Sequence, residues 1–211
     1  MFIDLFSKFL EILVICLFFI PMVYFSNILG TVIFKKKRNR GFEKVSPQQW
    51  AKDILKRSEL TDENGYNFGI NSYNKIKMPK RATSHSAGYD VFTPFGFTLK
   101  PDDFIVIPMG WKAYMNRNEK LVLHPRSGHG FKYFIRLANT TGIGDSDYYN
   151  CENNEGHYFV KIRNEGSEDF TLNSGDAVAQ CIFEEYKLAD GDSFSGQKRI
   201  GGFGSTRKKK K

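Results

Sequence analysis

Asp145 and Asp147 stand one residue apart in "TGIGDSDYYN" (141–150), behind a Gly-x-Gly and ahead of two tyrosines. The stretch has two physical readings. Asp and Gly suit solvated turns, because both tolerate unusual backbone angles and Asp bonds its own backbone. Held in a cleft, a carboxylate instead prepares a water molecule for attack by orienting it and taking its proton. A second stretch, "RIGGFGST" (199–206), offers complementary chemistry. Successive glycines let backbone N–H groups converge on an anion, the hydroxyls of Ser205 and Thr206 add donors, and Arg199 adds charge. It lacks the preceding strand, the Lys and the following helix of a Walker loop. Its bland alternative is a Gly-rich tail with a buried Phe. The histidines His85, His124, His129 and His157 and the cysteines Cys16, Cys151 and Cys181 show no metal-ligand spacing,. Free thiols in a reducing compartment are the simplest reading of the latter.

These stretches sit in a chain with a clear change of texture. From Ile76 onward, short runs such as "GYDVFTP", "FIVIPMGWKAYM", "EKLVLHPRSG", "HYFVKIRNEG" and "AVAQCIFEEY" alternate with Gly, Pro, Asp and Asn. A two-residue period with a turn signal about every ten residues predicts an all-β sandwich or barrel over residues 76–186. No alternation of strands with helices supports a doubly wound nucleotide fold. Residues 187–211 read as a flexible Gly- and Ser-rich arm with a basic end. Before the β region, residues 41–75 read as one short helix and a loop. In "SPQQWAKDILKRSEL", Ser46 is a candidate N-cap, Pro47 takes the first helical position, and Trp50, Ile54 and Leu55 fall at helical spacing,. That helix is expected to pack on the domain edge.

The net charge of +8 suggests a polyanion partner until its location is considered. "KKKRNR" (35–40) and "RKKKK" (207–211) each hold five basic residues, and without them 21 basic face 23 acidic residues, a net of −2. The basicity lies in two tails, so no specific nucleic-acid binding is expected. Between Ile12 and Phe34 lie 23 residues without a charge. That length crosses a hydrocarbon core of roughly 30 Å as a helix, even with a kink at Pro21. Positive residues stay cytoplasmic, so the cluster at 35–40 favours residues 1–40 as a membrane anchor, with the remainder facing the cytoplasm. A cleaved signal peptide and an untranslated extension, with a cytoplasmic protein, remain open.

Five segments in order, "SAGYD" (86–90), "PRSG" (125–128), "NTTGIGDSDY" (139–148), "GDAVAQ" (175–180) and "RIGGFGST" (199–206), together resemble the five motifs of the trimeric dUTP diphosphatases, or dUTPases. "RGFEKVS" near position 40 resembles the start of one bacterial and phage branch. The resemblance implies a jelly-roll barrel and a homotrimer with an active site at each subunit boundary. It implies hydrolysis of dUTP to dUMP and pyrophosphate, which limits uracil in DNA and supplies dUMP for thymidylate synthesis. Asp145 matches the general base acting on the water that attacks the α-phosphorus, with Asp147 supporting the turn. Tyr148 matches the ring that packs on deoxyribose and excludes a 2′-hydroxyl. Asn139 and the neighbouring hairpin backbone, including Gly142, match the reader of the uracil edge. Arg126, Ser127 and Gly128 match the phosphate segment, and Gln180 the contact to the α-phosphate region. Asp90 matches the carboxylate that meets, through water, a Mg²⁺ held chiefly by the triphosphate. In the arm, expected to close over a neighbouring subunit's nucleotide, Phe203 stacks on uracil. Arg199, Ser205 and Thr206 grip the outer phosphates, and Gly202 and Gly204 beside them also match substrate-binding positions.

The sequence departs from the family pattern in four places. Gly144 stands where Ile or Val is usual, which is expected to remove a packing side chain and loosen the backbone at Asp145. Ala177 replaces Arg, and Arg207 replaces Gly. "YNCENNEG" lengthens the hairpin between Tyr148 and Gly156 by about six residues relative to the compact form, as in some bacterial and phage members. Two rival functions are a nucleotide-binding regulatory module without turnover and a dCTP deaminase of the same fold.

Overall fold

The computed structural model describes residues 38–57, 71–194, 196 and 199–202. The hydrophobic run at 12–34 and the arm residues Phe203, Gly204, Ser205 and Thr206 lie outside them. No helix among the described residues is long and apolar enough to cross a membrane.

The fold is mostly β, and every strand pair among the described residues is antiparallel. Among the described residues eleven strands run in chain order: β1 (Gly41–Lys44), β2 (Tyr89–Phe92), β3 (Phe97–Leu99), β4 (Phe104–Pro108), β5 (Trp111–Tyr114), β6 (Glu119–Pro125), β7 (Ile135–Leu137), β8 (Gly142–Asp145), β9 (Phe159–Asn164), β10 (Phe170–Leu172) and β11 (Ala177–Glu185). They form a four-stranded sheet in the order β2-β11-β6-β8, a three-stranded sheet β4-β9-β7, and the pairs β1-β5 and β10-β3. Alternation puts one side of each strand into the core. In β9 the pattern is strict: Val160, Ile162 and Asn164 are buried while Lys161 and Arg163 are exposed,. Trp111, Ile107, Met109, Leu121, Ile135 and Ile162 are almost fully buried at the centre.

Besides a helical stretch at 71–74, two helices among the described residues interrupt the β pattern. α1 (Pro47–Arg57) begins at the predicted proline, and the Ser46 hydroxyl accepts the Gln49 N–H at 3.1 Å, which is N-capping,. Its Trp50 and Ile54 bury against Val45 and Ile76. α2 (Ser127–Tyr133), which starts inside "PRSG", was not signalled, because its seven residues include two glycines and bury no side chain. "GFEK" likewise gave no strand signal in a stretch read as helix and loop, yet it forms β1 through its ladder to β5. The run "FIVIPMGWKAYM" divides into β4 and β5, which join different sheets. Gly110, at φ +74°, makes that turn, and Ile76 occupies the space a Cβ would need,.

The lengthened hairpin 149–156 and the segment before residue 58 hold one another. Glu155 accepts from the Ser46 N–H at 2.9 Å and from its hydroxyl at 2.5 Å, while Tyr149 donates to Glu43 at 2.5 Å. Burial opposes ionisation of Glu155, but the Ser46 hydrogen bonds and Lys112 outweigh it and hold the carboxyl below its ordinary pKa,. Deeper in, the Nε2 of fully buried His157 accepts the Gly110 N–H at 2.8 Å. Its Nδ1 therefore carries the proton and donates to Asp53 at 2.6 Å,. Asp53 also accepts from Gln49 at 2.7 Å. Replacing Asp53 by Ala strands that buried donor, a cost of about 2–3 kcal/mol. The thermal midpoint of Asp53→Ala is expected to fall by roughly 5–10 °C. An unchanged midpoint would show that α1 is not tied to the β structure through this pair.

Candidate active site

β8 delivers Asp145 at its last residue, and a 3₁₀ turn (Ser146–Tyr148) follows directly. The β8 ladder to β6 aligns Gly142 with Leu123 and Asp145 with Lys120. Asn139, Gly142, Gly144, Asp145, Tyr148, Tyr158, Phe159, Arg199 and Gly202 line a cavity of about 180 Å³. The residues matched to uracil reading, sugar packing and water activation thus share one concave site.

Tyr148 is fixed at both ends. Its ring is buried, its hydroxyl donates to the His157 carbonyl at 2.7 Å, and the Asn154 amide donates to that hydroxyl at 2.8 Å. Burial pushes its pKa up to about 12, against the opposing Asn154 hydrogen bond, so the phenol is neutral at physiological pH,. Gly144 differs from expectation. The packing side chain it lacks is replaced rather than lost, because the Tyr158 ring fills the space. A Cβ at Gly144 would stand 1.8 Å from the Tyr158 hydroxyl oxygen. Tyr158 drew no attention in the sequence, where it reads as one more inward-facing strand residue.

The described arm residues 199–202 lie on this chain's own cavity. Arg199 pairs with Asp145 and, at 2.8 Å, with Asp147; the Ile200 carbonyl accepts the Asn153 N–H at 2.9 Å; Gly202 rests against the Tyr148 ring. Asp147, matched only to turn support, is thus an arm contact as well.

A second cluster forms on the four-stranded sheet. Asp90 and Gln180 face each other across β2 and β11, with His124 alongside on β6. Arg126 lies 3.2 Å from Asp90, and the Gln180 amide donates to the Pro125 carbonyl at 3.1 Å. Ser127 and Gly128 follow, exposed, at the start of α2. Gln180 and Asp145 do not meet within one chain. Gln180 pairs with His124 and Asp145 with Lys120. They are therefore separated by four residues of β6, about 13 Å, and by two strand spacings, about 10 Å.

A family model described as dUTPase matches residues 74–206. The chain belongs to the dUTPase family. A deoxyuridine 5'-triphosphate nucleotidohydrolase of Lactococcus lactis subsp. lactis (strain IL1403) is 42% identical over 132 residues, 62% of this chain and 88% of the relative. One from Shewanella piezotolerans is 36% identical over 138 residues, covering 62% of this chain and 86% of the relative. The crystal structure of a dUTPase from Streptococcus mutans superposes with a TM-score of 0.53 at 33% identity, covering 72% of this chain and 99% of that one.

The arm's hold on the dUTPase core is electrostatic and partly solvated, with about half of the Asp145 and Asp147 side chains exposed. Such pairs contribute roughly 0–1 kcal/mol. Arg199→Ala is therefore expected to shift the thermal midpoint by no more than about 4 °C. A larger fall would make the arm part of the folding core.

Proposed function

We propose that this chain is a dUTP diphosphatase, hydrolysing dUTP to dUMP and pyrophosphate by attack of water on the α-phosphorus. The observation that carries the reading is the single cavity shared by Asn139, Gly142, Asp145 and Tyr148. The named relatives support the same activity. The base would enter beside Asn139 and the β8 backbone, whose fixed donors and acceptors discriminate against a base with the wrong edge. The immobile Tyr148 ring would pack on the sugar and leave no room for a 2′-hydroxyl. Asp145 would hold the attacking water in line with phosphorus and accept its proton.

Displacement at phosphorus demands alignment and charge neutralisation more than covalent chemistry. Arg126, Ser127, Gly128 and Gln180 would supply donors to the phosphates. The gap of more than about 15 Å between Gln180 and Asp145 in one chain supports a homotrimer in which one copy's phosphate cluster completes another's cavity. Arg199 would exchange Asp145 for the outer phosphates as substrate arrives, freeing the base. The rest of the arm, with Gly202, Phe203, Gly204, Ser205 and Thr206, would then exclude water from the closed site. Among the described residues no three His, Cys, Asp or Glu side chains gather to hold a metal directly. Asp90 offers one half-buried carboxylate beside Arg126, a donor set suited to the water shell of a Mg²⁺ carried by the triphosphate,. The ion would neutralise phosphate charge.

The test is pyrophosphate release from dUTP with Mg²⁺. Asp145→Asn is expected to lower kcat at least about 100-fold while dUTP still binds. Wild-type protein that binds dUTP but turns over no faster than this variant would favour the regulatory module instead.

We also propose that residues 12–34 anchor the protein in a membrane, with the enzyme facing the cytoplasm. A charge-free run of 23 residues followed by "KKKRNR" supports this,. Full-length protein is expected in the membrane fraction after high-salt washing. Recovery in the soluble fraction with an intact N-terminus would contradict it.

A further inference from the structure

Three contacts hold residues 199–202 on the chain's own cavity, and two of their partners have no role in the proposed reaction. Arg199 donates to Asp147 at 2.8 Å as well as to Asp145, and the Asn153 N–H donates to the Ile200 carbonyl at 2.9 Å. At the third contact, a Cβ on Gly202 would stand 2.9 Å from the Tyr148 ring. The two ends of this stretch fall where a nucleotide would have to bind. The guanidinium claims an oxygen of the carboxylate that would orient water, and Gly202 covers part of the ring on which the sugar would pack. With Arg199 and Gly202 among its walls, the cavity holds about 180 Å³. Sites that enclose small ligands commonly offer roughly 300–1,000 Å³. A nucleotide therefore enters only by moving the arm.

We propose that residues 199–202 form an autoinhibitory plug in the chain's own site, anchored by Asp147 and Asn153, which a polyphosphate releases and a monophosphate does not. The inference rests on the dUTP reading and adds regulation of its site. A ligand that binds only the open form has its dissociation constant raised by the reciprocal of the open fraction, whatever phosphates it carries. A triphosphate offsets that cost, because Arg199 exchanges two carboxylates for outer phosphates in charge-assisted bonds. dUMP has no phosphate beyond the first and bears the cost unrelieved. The plug thus holds the site for substrate against product, and it re-forms on Asp145 and Asp147 once pyrophosphate has left.

Calorimetry on the full-length protein tests this with dUMP and with a dUTP analogue carrying nitrogen in place of the oxygen between the α- and β-phosphorus. Arg199→Ala is expected to tighten dUMP about three- to tenfold, because the plug is lost and no bond to dUMP goes with it. The same variant should weaken the analogue at least about threefold, having lost its grip on the outer phosphates. Asp147→Asn loosens the plug but spares that grip, so both ligands should tighten about two- to threefold. Opposite shifts for the two ligands in Arg199→Ala are the signature of a plug, since a residue that only grips phosphate leaves dUMP unchanged. Unchanged or weaker dUMP binding in Arg199→Ala, or wild-type binding of both ligands in Asp147→Asn, would overturn the proposal. If wild-type protein binds neither ligand, the dUTP reading fails and this inference with it. If wild type binds both and neither variant tightens dUMP, only this inference fails.

Discussion

The bare backbone at Gly144, pressed against the Tyr158 ring, sets where Asp145 can stand. β8 is an edge strand of its sheet, held by a ladder on one side only. Edge strands are the part of a sheet most free to shift, and a shift of one residue reverses every side chain. Here the second restraint comes from the core, because Gly144 rests on a tyrosine that is itself stacked on fully buried Trp111. The carboxylate therefore emerges from a strand clamped on two sides, and the short 3₁₀ turn carries the same order to Tyr148. The proposed role of Asp145, holding water in line with phosphorus, tolerates little movement, and this packing supplies rigidity.

The second layer of support comes from outside the motifs. Tyr148 leans on Asn154 and on the His157 carbonyl, and His157 is gripped by Asp53 from α1. The lengthened hairpin and the segment carrying β1 and α1 are mutual partners, joined through Glu155 to Ser46 and Tyr149 to Glu43. Together they extend the core by one helix and place a buried polar chain behind the Tyr148 ring. Such a chain is stabilising only when every member is satisfied, as these are.

Much of this was legible in the residues. The Ser46 cap, the Pro47 start and the inward face of α1 follow from local rules that tertiary context did not override. The joint placement of Asn139, Gly142, Asp145 and Tyr148 follows from their closeness in sequence along one hairpin. What was hidden depends on distant partners. β1 is a strand because β5 lies beside it, and its four residues carry no period of their own. "FIVIPMGWKAYM" splits because Gly110 must yield to Ile76, from a segment more than thirty residues earlier. Tyr158 looks like ordinary core until Gly144 is placed against it, since neither residue alone signals the other. The arm showed the converse: its charge was legible, but not that Arg199 would meet Asp145 and Asp147 in its own chain.

The pairing of Arg199 with Asp145 places a cation on the proposed base until a more highly charged partner arrives, and a triphosphate is such a partner. In the proposed reaction this cavity directs water onto the phosphorus nearest the sugar. Hydrolysis of dUTP in ¹⁸O-labelled water tests it most directly. The label is expected in dUMP, with pyrophosphate unlabelled. Label in pyrophosphate would place the attack at the β-phosphorus, away from the carboxylate that the fold holds so firmly.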